Sequence, residues 1–220
     1  MSLNDSVNIY EICKRALDIV TALLVFLVFL PIILLICLAI KIDSPGPIFY
    51  IQNRVGKNGK TFGMFKFRSM VANADDFLLK HPEFMKKFKN KFGWKFGEAN
   101  EDPRITRVGR FIRKYTLDEL PQLLNIIRGE MSMVGPRAYR NDALGDEIEE
   151  QLKHYPHLRE KVKLALSVPP GVSGPWQTSG RNKLSWEQRV ELDAGYAAQK
   201  SILCDILIIL KTPFVMFNKW

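Results

Sequence analysis

The chain has 220 residues, 47% hydrophobic and 25% charged, which supplies a sizeable core and excludes a disordered or collagen-like chain. With 32 basic against 23 acidic residues it carries +9, which points to a polyanionic partner, either nucleic acid or an anionic membrane surface. The mean hydropathy of −0.06 is that of a soluble protein, but it averages two apolar ends with a polar middle. Cys13, Cys37 and Cys204 are odd in number and widely spaced, which suits neither a disulfide framework nor a zinc site and indicates a reduced, cytoplasm-facing chain. His154 and His157 flank Pro156 and read as loop histidines rather than metal ligands.

In chain order, the first feature is a run of 22 positions from Ile19 to Ile40, interrupted only by Thr21 and Pro31. At about 1.5 Å per residue a helix of that length covers the ~30 Å hydrocarbon core of a bilayer. The run is too long for a secretory signal, and Lys41-Ile42-Asp43-Ser44-Pro45 has no small-residue cleavage site, so the segment is expected to be retained. Pro31 removes a helix hydrogen bond near the middle. Lys14 and Arg15 precede the run and Lys41, Arg54, Lys57 and Lys60 follow it, so the positive-inside bias favours both flanks on the cytoplasmic side and a re-entrant hairpin. A proline-kinked spanning helix is the alternative.

Residues 47–52 and 61–68 read as two short strands, with Asn58-Gly59 as the tight turn between them. Residues 71–92 read as a helix with Phe84, Phe88 and Phe92 at four-residue spacing, Phe96 beyond, and Lys86, Lys87, Lys89, Lys91 and Lys95 interleaved. That stripe suits the headgroup region or a core-facing position with a solvated basic face. Residues 101–110 are expected to be a connector, 116–128 a helix ending at Gly129, 141–153 a helix, 155–182 mostly loop and 186–200 a helix. Ile202–Phe217 is apolar but broken by Asp205, Lys211 and Pro213, which is short for a span; it lies on the membrane or packs on the first segment. The expected fold is α+β and mostly helical: an N-terminal re-entrant membrane helix, a short β-hairpin and interfacial amphipathic helices around one catalytic domain.

Thr116-Leu117-Asp118-Glu119 fits a capping box, although Pro121 is awkward for a helix starting there and moves the start towards Leu120. The same acids permit another reading. A helix N-terminus keeps a carboxylate ionised, and a second one beside it can share a divalent cation. Arg104, Arg107, Arg110, Arg113 and Lys114 supply a density of cations suited to phosphate oxygens. Adjacent acids among arginines suggest phosphoryl chemistry with Mg²⁺.

Lys66-Phe67-Arg68-Ser69-Met70, the segment from Asp102 to Arg110, Leu117-Asp118-Glu119-Leu120-Pro121-Gln122-Leu123 and the segment from Met131 to Arg137 together resemble the bacterial sugar transferase family. These are monotopic phosphoglycosyl transferases that prime glycan assembly on polyprenyl phosphate. The resemblance runs from about Lys14 to Pro213 and implies a membrane segment over residues 1–45 and a cytoplasmic-face catalytic domain over 46–220. It implies Asp118 as the nucleophile on the sugar-linked phosphorus of a UDP-sugar. An aspartyl phosphosugar and UMP would form, and undecaprenyl phosphate would then take the sugar phosphate. Glu119 would complete the dyad, holding Mg²⁺ with Asp118 or managing a proton. Arg113 would bind phosphate, Arg137 would brace the site or contact substrate, and Lys66, Arg68 and Arg104 would approach phosphates or headgroups. The family's first helix is re-entrant at a Ser-Pro pair, where this chain has Leu30-Pro31, and Ala138 stands where the family has proline.

The segment from Pro170 to Arg181, which includes Trp176, Gln177 and Arg181, looks like the variant found in transferases of galactose or glucose 1-phosphate for exopolysaccharide or O-antigen. It makes Gln177 and Arg181 substrate contacts, with an acetamido sugar as the alternative donor. Implied partners are the membrane, anionic lipid headgroups, undecaprenyl phosphate and a UDP-sugar, with no nucleic acid and with room for a homodimer. The implied location is the cytoplasmic face of the bacterial inner membrane, and at this length the catalytic part alone is expected. A non-catalytic basic membrane adaptor explains the charge but leaves the acid pair without a purpose, and a phosphohydrolase would release sugar phosphate without a lipid acceptor. Residues 1–40 carry three acids against two bases, or −1, so the remaining +10 belongs to residues 41–220.

Overall fold

A computed structural model describes residues 3–83, 102–142, 145–180 and 183–217. In chain order the elements are α1 (Leu3–Asp43), β1 (Phe49–Val55), β2 (Thr61–Phe67), α2 (Ala74–Lys80), α3 (Arg107–Lys114), a 3-10 turn at Leu117–Glu119, and α4 (Gln122–Arg128). There follow β3 (Ser132–Val134), β4 (Tyr139–Asp142), β5 (Gly145–Asp146), α5 (Glu147–Leu152), α6 (Arg159–Ala165), β6 (Gly171–Ser173), α7 (Pro175–Ser179), α8 (Trp186–Gln199) and α9 (Ile202–Phe217). The expected mixed, mostly helical class is what the chain adopts. It packs as two compact units interleaved in sequence, one from Met1–Val28, Gln52–Met64 and Gln122–Trp220, the other from Phe29–Ile51 and Phe65–Pro121.

In the larger unit, the turn between the hairpin strands is made by Asn58 and Gly59, both at positive φ (57° and 76°), closed by the Gly56 N–H donating to the Lys60 carbonyl at 2.8 Å. An Asn-Gly pair tolerates that conformation where other residues are strained. β1 pairs antiparallel with β4, placing Arg54 opposite Arg140 and Val55 opposite Tyr139, in a sheet of order β2-β1-β4-β5. β3 and β6 form a separate parallel pair, Ser132 opposite Gly171. Gly135, just after β3, is a close approach: a Cβ there would sit 2.3 Å from the Pro169 carbonyl oxygen. Val55, Tyr139, Ile148, Leu158, Val162 and Val190 make one apolar core of this unit, and Val134, Val168, Tyr196, Ala197 and Ile208 another.

The first part of α1 is tied into the larger unit by buried charge. Lys14 Nζ lies 3.2 Å from Asp18 and 3.3 Å from Asp205. Asp18 accepts from the Ser132 hydroxyl at 3.0 Å and the Met133 N–H at 2.9 Å, and Asp205 accepts from the Tyr196 hydroxyl at 2.6 Å and the Tyr10 hydroxyl at 3.1 Å. Arg15 donates to the carbonyls of Ile126 and Ile127 in the last turn of α4, where a helix presents unpaired acceptors.

In the smaller unit, Ile33, Ile36, Cys37 and Ile40 of α1 recur at helical spacing and pack with Phe67 and Ile112. Arg68 is buried and closes the C-terminus of α1, donating to the carbonyls of Ser44 at 2.6 Å, Pro45 at 2.8 Å and Ile40 at 3.4 Å. Asp43, the last residue of α1, accepts the Val108 N–H at 3.0 Å and so helps cap α3, alongside the Thr106 hydroxyl, which accepts from Gly109 at 3.0 Å.

Among the described residues α1 is the one helix long and apolar enough to cross a membrane, and only 11% of its most apolar stretch is buried in protein. Leu24, Leu27, Val28, Leu34 and Leu35 are each more than half exposed, which is the composition of a lipid-facing surface, and the chain is membrane-associated. Pro31 lies inside this helix and leaves the Leu27 carbonyl without its helical donor.

Several local expectations are revised. The helix expected at 116–128 is divided, because Pro121 cannot donate within a helix and the first turn becomes 3-10 before α4 begins at Gln122. The capping box does not form: Thr116 is left-handed (φ 58°) and its hydroxyl caps nothing. Residues 139–142 and 145–146 are strands, and the helix expected from 141 begins only at Glu147, where Asp146 accepts from the Ile148 and Glu149 N–H groups. The 155–182 stretch holds a 3-10 turn at Pro156–Leu158, α6, β6 and α7, and Pro156 and Pro175 open the 3-10 turn and α7 at first helical positions, where the missing N–H is no loss. The expected connector ends early, since α3 starts at Arg107. The phenylalanine and lysine stripe from Phe84 to Phe96 lies outside the described residues.

Candidate active site

The acid pair is positioned by the chain reversal after α3. Ile112 of α3 is fully buried, which fixes the helix and therefore Arg113 beside it. The chain then turns through Tyr115 and Thr116, with the Thr116 N–H donating to the Arg113 carbonyl at 3.1 Å and the Glu119 N–H to the Thr116 carbonyl at 3.3 Å. A β-branched residue in the left-handed region costs on the order of 1–3 kcal/mol. That strained residue stands two positions before Asp118, the one buried residue of the 3-10 turn.

β2 supplies the cation. Lys66 Nζ lies 3.0 Å from Glu119 Oε1, 53 residues away in sequence, with both side chains partly shielded. The Asp118 carboxyl is pushed up to about 6, chiefly by burial; Lys66 opposes this, Glu119 reinforces it, and Arg113 opposes it again. The result is a carboxyl that ionises below neutrality although it is buried, with two cations close enough to stabilise the anion. A buried nucleophilic oxygen, a second carboxylate and fixed positive charges are the parts needed to attack a phosphorus centre and balance its charge.

The donor set suits Mg²⁺. Asp118 and Glu119 offer adjacent hard carboxylate oxygens, and no cluster of three metal-binding side chains occurs among the described residues. Mg²⁺ commonly binds through one or two carboxylates, completing its shell with water and substrate phosphates.

The other expected site residues are distributed as follows. Lys66, Arg113, Asp118 and Glu119 come together in the smaller unit. Arg68 and Arg104 belong to the same unit but are engaged elsewhere, Arg68 at the end of α1 and Arg104 in a buried ion pair with Asp102 at 2.6 Å. Arg137 and Gln177 lie in the larger unit, where the Arg137 guanidinium sits 5.1 Å from the centre of the Trp176 ring. Arg181 lies outside the described residues. Arg189 and Asp193 were not expected at a site. Their signal in the sequence is a pair of charges at i, i+4 on the α8 face that also carries Val190, Ala194 and Ala197.

Residues 9–219 match the bacterial sugar transferase family. The exopolysaccharide production protein ExoY of Sinorhizobium fredii is 41% identical over 94% of this chain and 87% of its own length. The undecaprenyl-phosphate galactose phosphotransferase of Salmonella typhimurium is 37% identical over 94% of this chain and 40% of its own length. The UDP-glucose:undecaprenyl-phosphate glucose-1-phosphate transferase of Escherichia coli is 35% identical over 96% of this chain and 41% of its own length. The chain thus spans most of ExoY and about two fifths of the other two relatives. With the family matched over nearly every residue, including the lysine, arginine and paired acids just described, the chain belongs to the bacterial sugar transferase family.

Proposed function

We propose that this chain transfers a hexose 1-phosphate, from UDP-galactose or UDP-glucose, to undecaprenyl phosphate at the cytoplasmic face of the bacterial inner membrane. The observation that carries the reading is the buried Asp118 carboxyl beside Lys66, Glu119 and Arg113. In the first step an Asp118 carboxylate oxygen attacks the phosphorus that bears the sugar. The anhydride bond to the nucleotide breaks, and UMP departs with the bridging oxygen. In the second step a phosphate oxygen of undecaprenyl phosphate attacks the same phosphorus, the bond to Asp118 breaks, and undecaprenyl diphosphate hexose is released. The carboxylate is regenerated, so the cycle balances without redox chemistry.

Lys66 and Arg113 hold positive charge where negative charge develops on the transferring phosphoryl group. Glu119, oriented by Lys66, accepts the proton of an incoming monoprotonated phosphate or shares Mg²⁺ with Asp118. Asp118 and Glu119 would hold the Mg²⁺, which would supply charge neutralisation for the phosphoryl oxygens. The names of the relatives support the lipid acceptor and the hexose donor. The membrane segment is read as re-entrant, supported by its two basic flanks and by Pro31; α9, with Leu203, Leu207, Leu210 and Phe214 exposed, is read as lying in the headgroup region.

The test is incubation in a membrane mimetic with undecaprenyl phosphate, Mg²⁺ and a panel of UDP-sugars, following UMP. Lipid-dependent product from UDP-galactose or UDP-glucose is expected. A response to acetamido sugars alone would overturn the donor, and release of free sugar phosphate without lipid would make the chain a hydrolase.

A further inference from the structure

In the chemistry above Lys66 and Arg113 are the fixed cations, and the last turns of α1 pack against the elements that carry them. Ile36 and Ile40 of α1 form one apolar cluster with Phe67, which follows Lys66, and with Ile112, which precedes Arg113. Leu117, which precedes Asp118, packs on the same cluster. All of these residues belong to the smaller unit.

By its own sequence α3 is a poor helix. Arg107, Arg110, Arg113 and Lys114 are half of its eight residues and none of the others is acidic, so no carboxylate within it offsets the positive end of the helix. The first N–H groups of a helix also lack partners inside it. The Thr106 hydroxyl takes the Gly109 N–H at 3.0 Å. The Val108 N–H goes instead to Asp43, 65 residues earlier and the last residue of α1, at 3.0 Å. Asp43 therefore supplies an acceptor and a negative charge that α3 does not provide for itself. Its influence reaches Arg113, because a helix of about two turns moves as one body, and a shift at Val108 is carried to its other end.

We propose that Asp43 is a positioning residue for the transfer reaction: by capping α3 from the end of the membrane segment, it fixes where Arg113 stands against Asp118. It acts through Arg113 rather than on the reacting atoms. The end of α1 is then part of the frame of the site as well as the end of a lipid-facing helix. The assignment deepens the transferase reading above and rests on it.

The test uses the full chain in lipid nanodiscs with undecaprenyl phosphate, Mg²⁺ and UDP-galactose or UDP-glucose. It compares Asp43→Ala, Asp43→Asn, Arg113→Gln and the double variant Asp43→Ala, Arg113→Gln. Asp43→Ala should lower kcat about tenfold and leave KM for the UDP-sugar within about twofold. Asp43→Asn keeps an oxygen for the Val108 N–H and should recover most of that loss. With Arg113→Gln already present, removing Asp43 should cost less than about twofold, because the group it positions is gone. Hydrogen exchange of the α3 amides, read on the same proteins, should speed up in Asp43→Ala and slow again in Asp43→Asn. An unchanged kcat in Asp43→Ala, an equal fold loss with and without Arg113, or exchange that rises throughout the chain instead of in α3 overturns the positioning role. Failure of the transferase reading looks different: the wild-type chain forms no lipid-linked hexose, while α3 exchange still responds to Asp43→Ala and recovers in Asp43→Asn.

Discussion

Asp118 is held under opposing forces, and each makes a measurable contribution. Its carboxyl is raised to about 6, so the folded state favours the protonated form relative to the unfolded chain. Its stabilising contribution is therefore complete below about pH 4 and is lost as pH rises through about 6. Asp118→Asn should abolish lipid-linked product yet raise stability at pH 7.5, by on the order of 1–3 kcal/mol in thermal or denaturant unfolding. A mutant retaining most of its product would sink the nucleophile assignment. In the proposed mechanism the attacking group is the Asp118 anion, so kcat/KM should fall on the acid side with an apparent pKa near 6 belonging to the coupled pair. Lys66 lowers that value, and Lys66→Met should shift the acid limb upward, so that the mutant loses more activity at pH 6.5 than at pH 8.5. An unshifted limb would leave Lys66 with a purely structural role.

At the scale of elements, two contacts hold helices in place, one in each unit. Gly109 of α3 passes so close to the preceding loop that a Cβ would lie 1.9 Å from the Ser69 carbonyl oxygen. Gly109→Ala must displace α3, which carries Arg113, and should destabilise by about 1–3 kcal/mol with a parallel fall in transfer rate. The other contact is the burial of Lys14 between Asp18 and Asp205. Lys14→Met would leave two buried carboxylates without their cation, at a cost of about 3–5 kcal/mol in unfolding experiments in detergent. The hairpin turn and α8 were legible from local signals, the Asn-Gly pair and the helical pattern after the glycine- and proline-rich stretch, while the capping box that Ser185 forms at the start of α8 emerged with the structure. The division of the 116–128 segment was only half legible. Pro121 announced a break, but nothing in the local pattern marks Thr116 as left-handed, since a β-branched residue ordinarily avoids that region.

For the molecule as a whole, the +9 charge resolves by region. Residues 1–40 carry −1 and the remainder +10, so the positive charge lies outside the apolar segment, in the part of the chain that carries the paired acids. The re-entrant reading places both ends of that segment on the cytoplasmic side. Cys13 is exposed, on the N-terminal side of the run. In intact cells expressing a Cys37→Ser, Cys204→Ser chain, a membrane-impermeant maleimide should leave Cys13 unlabelled until the inner membrane is permeabilised. Labelling before permeabilisation would establish a spanning helix.

By itself the sequence determined the features that repeat or cluster along the chain: the lipid-facing run, the hairpin, the paired acids and the motifs that place the chain in its family. These signals are local, resting on composition and on periods of two or 3.6 residues. The tertiary structure decided which charges remain available for chemistry. Arg68 and Arg104 look like phosphate ligands in the sequence, yet Arg68 holds the carbonyls at the end of α1 and Arg104 a buried partner. Lys66 reaches Glu119 across 53 residues, and Arg189 and Asp193 turn from an ordinary helical pair into a buried polar cluster. Burial and long-range proximity set the pKa values and partners of these groups, and both depend on the packing of distant elements rather than on the neighbouring sequence.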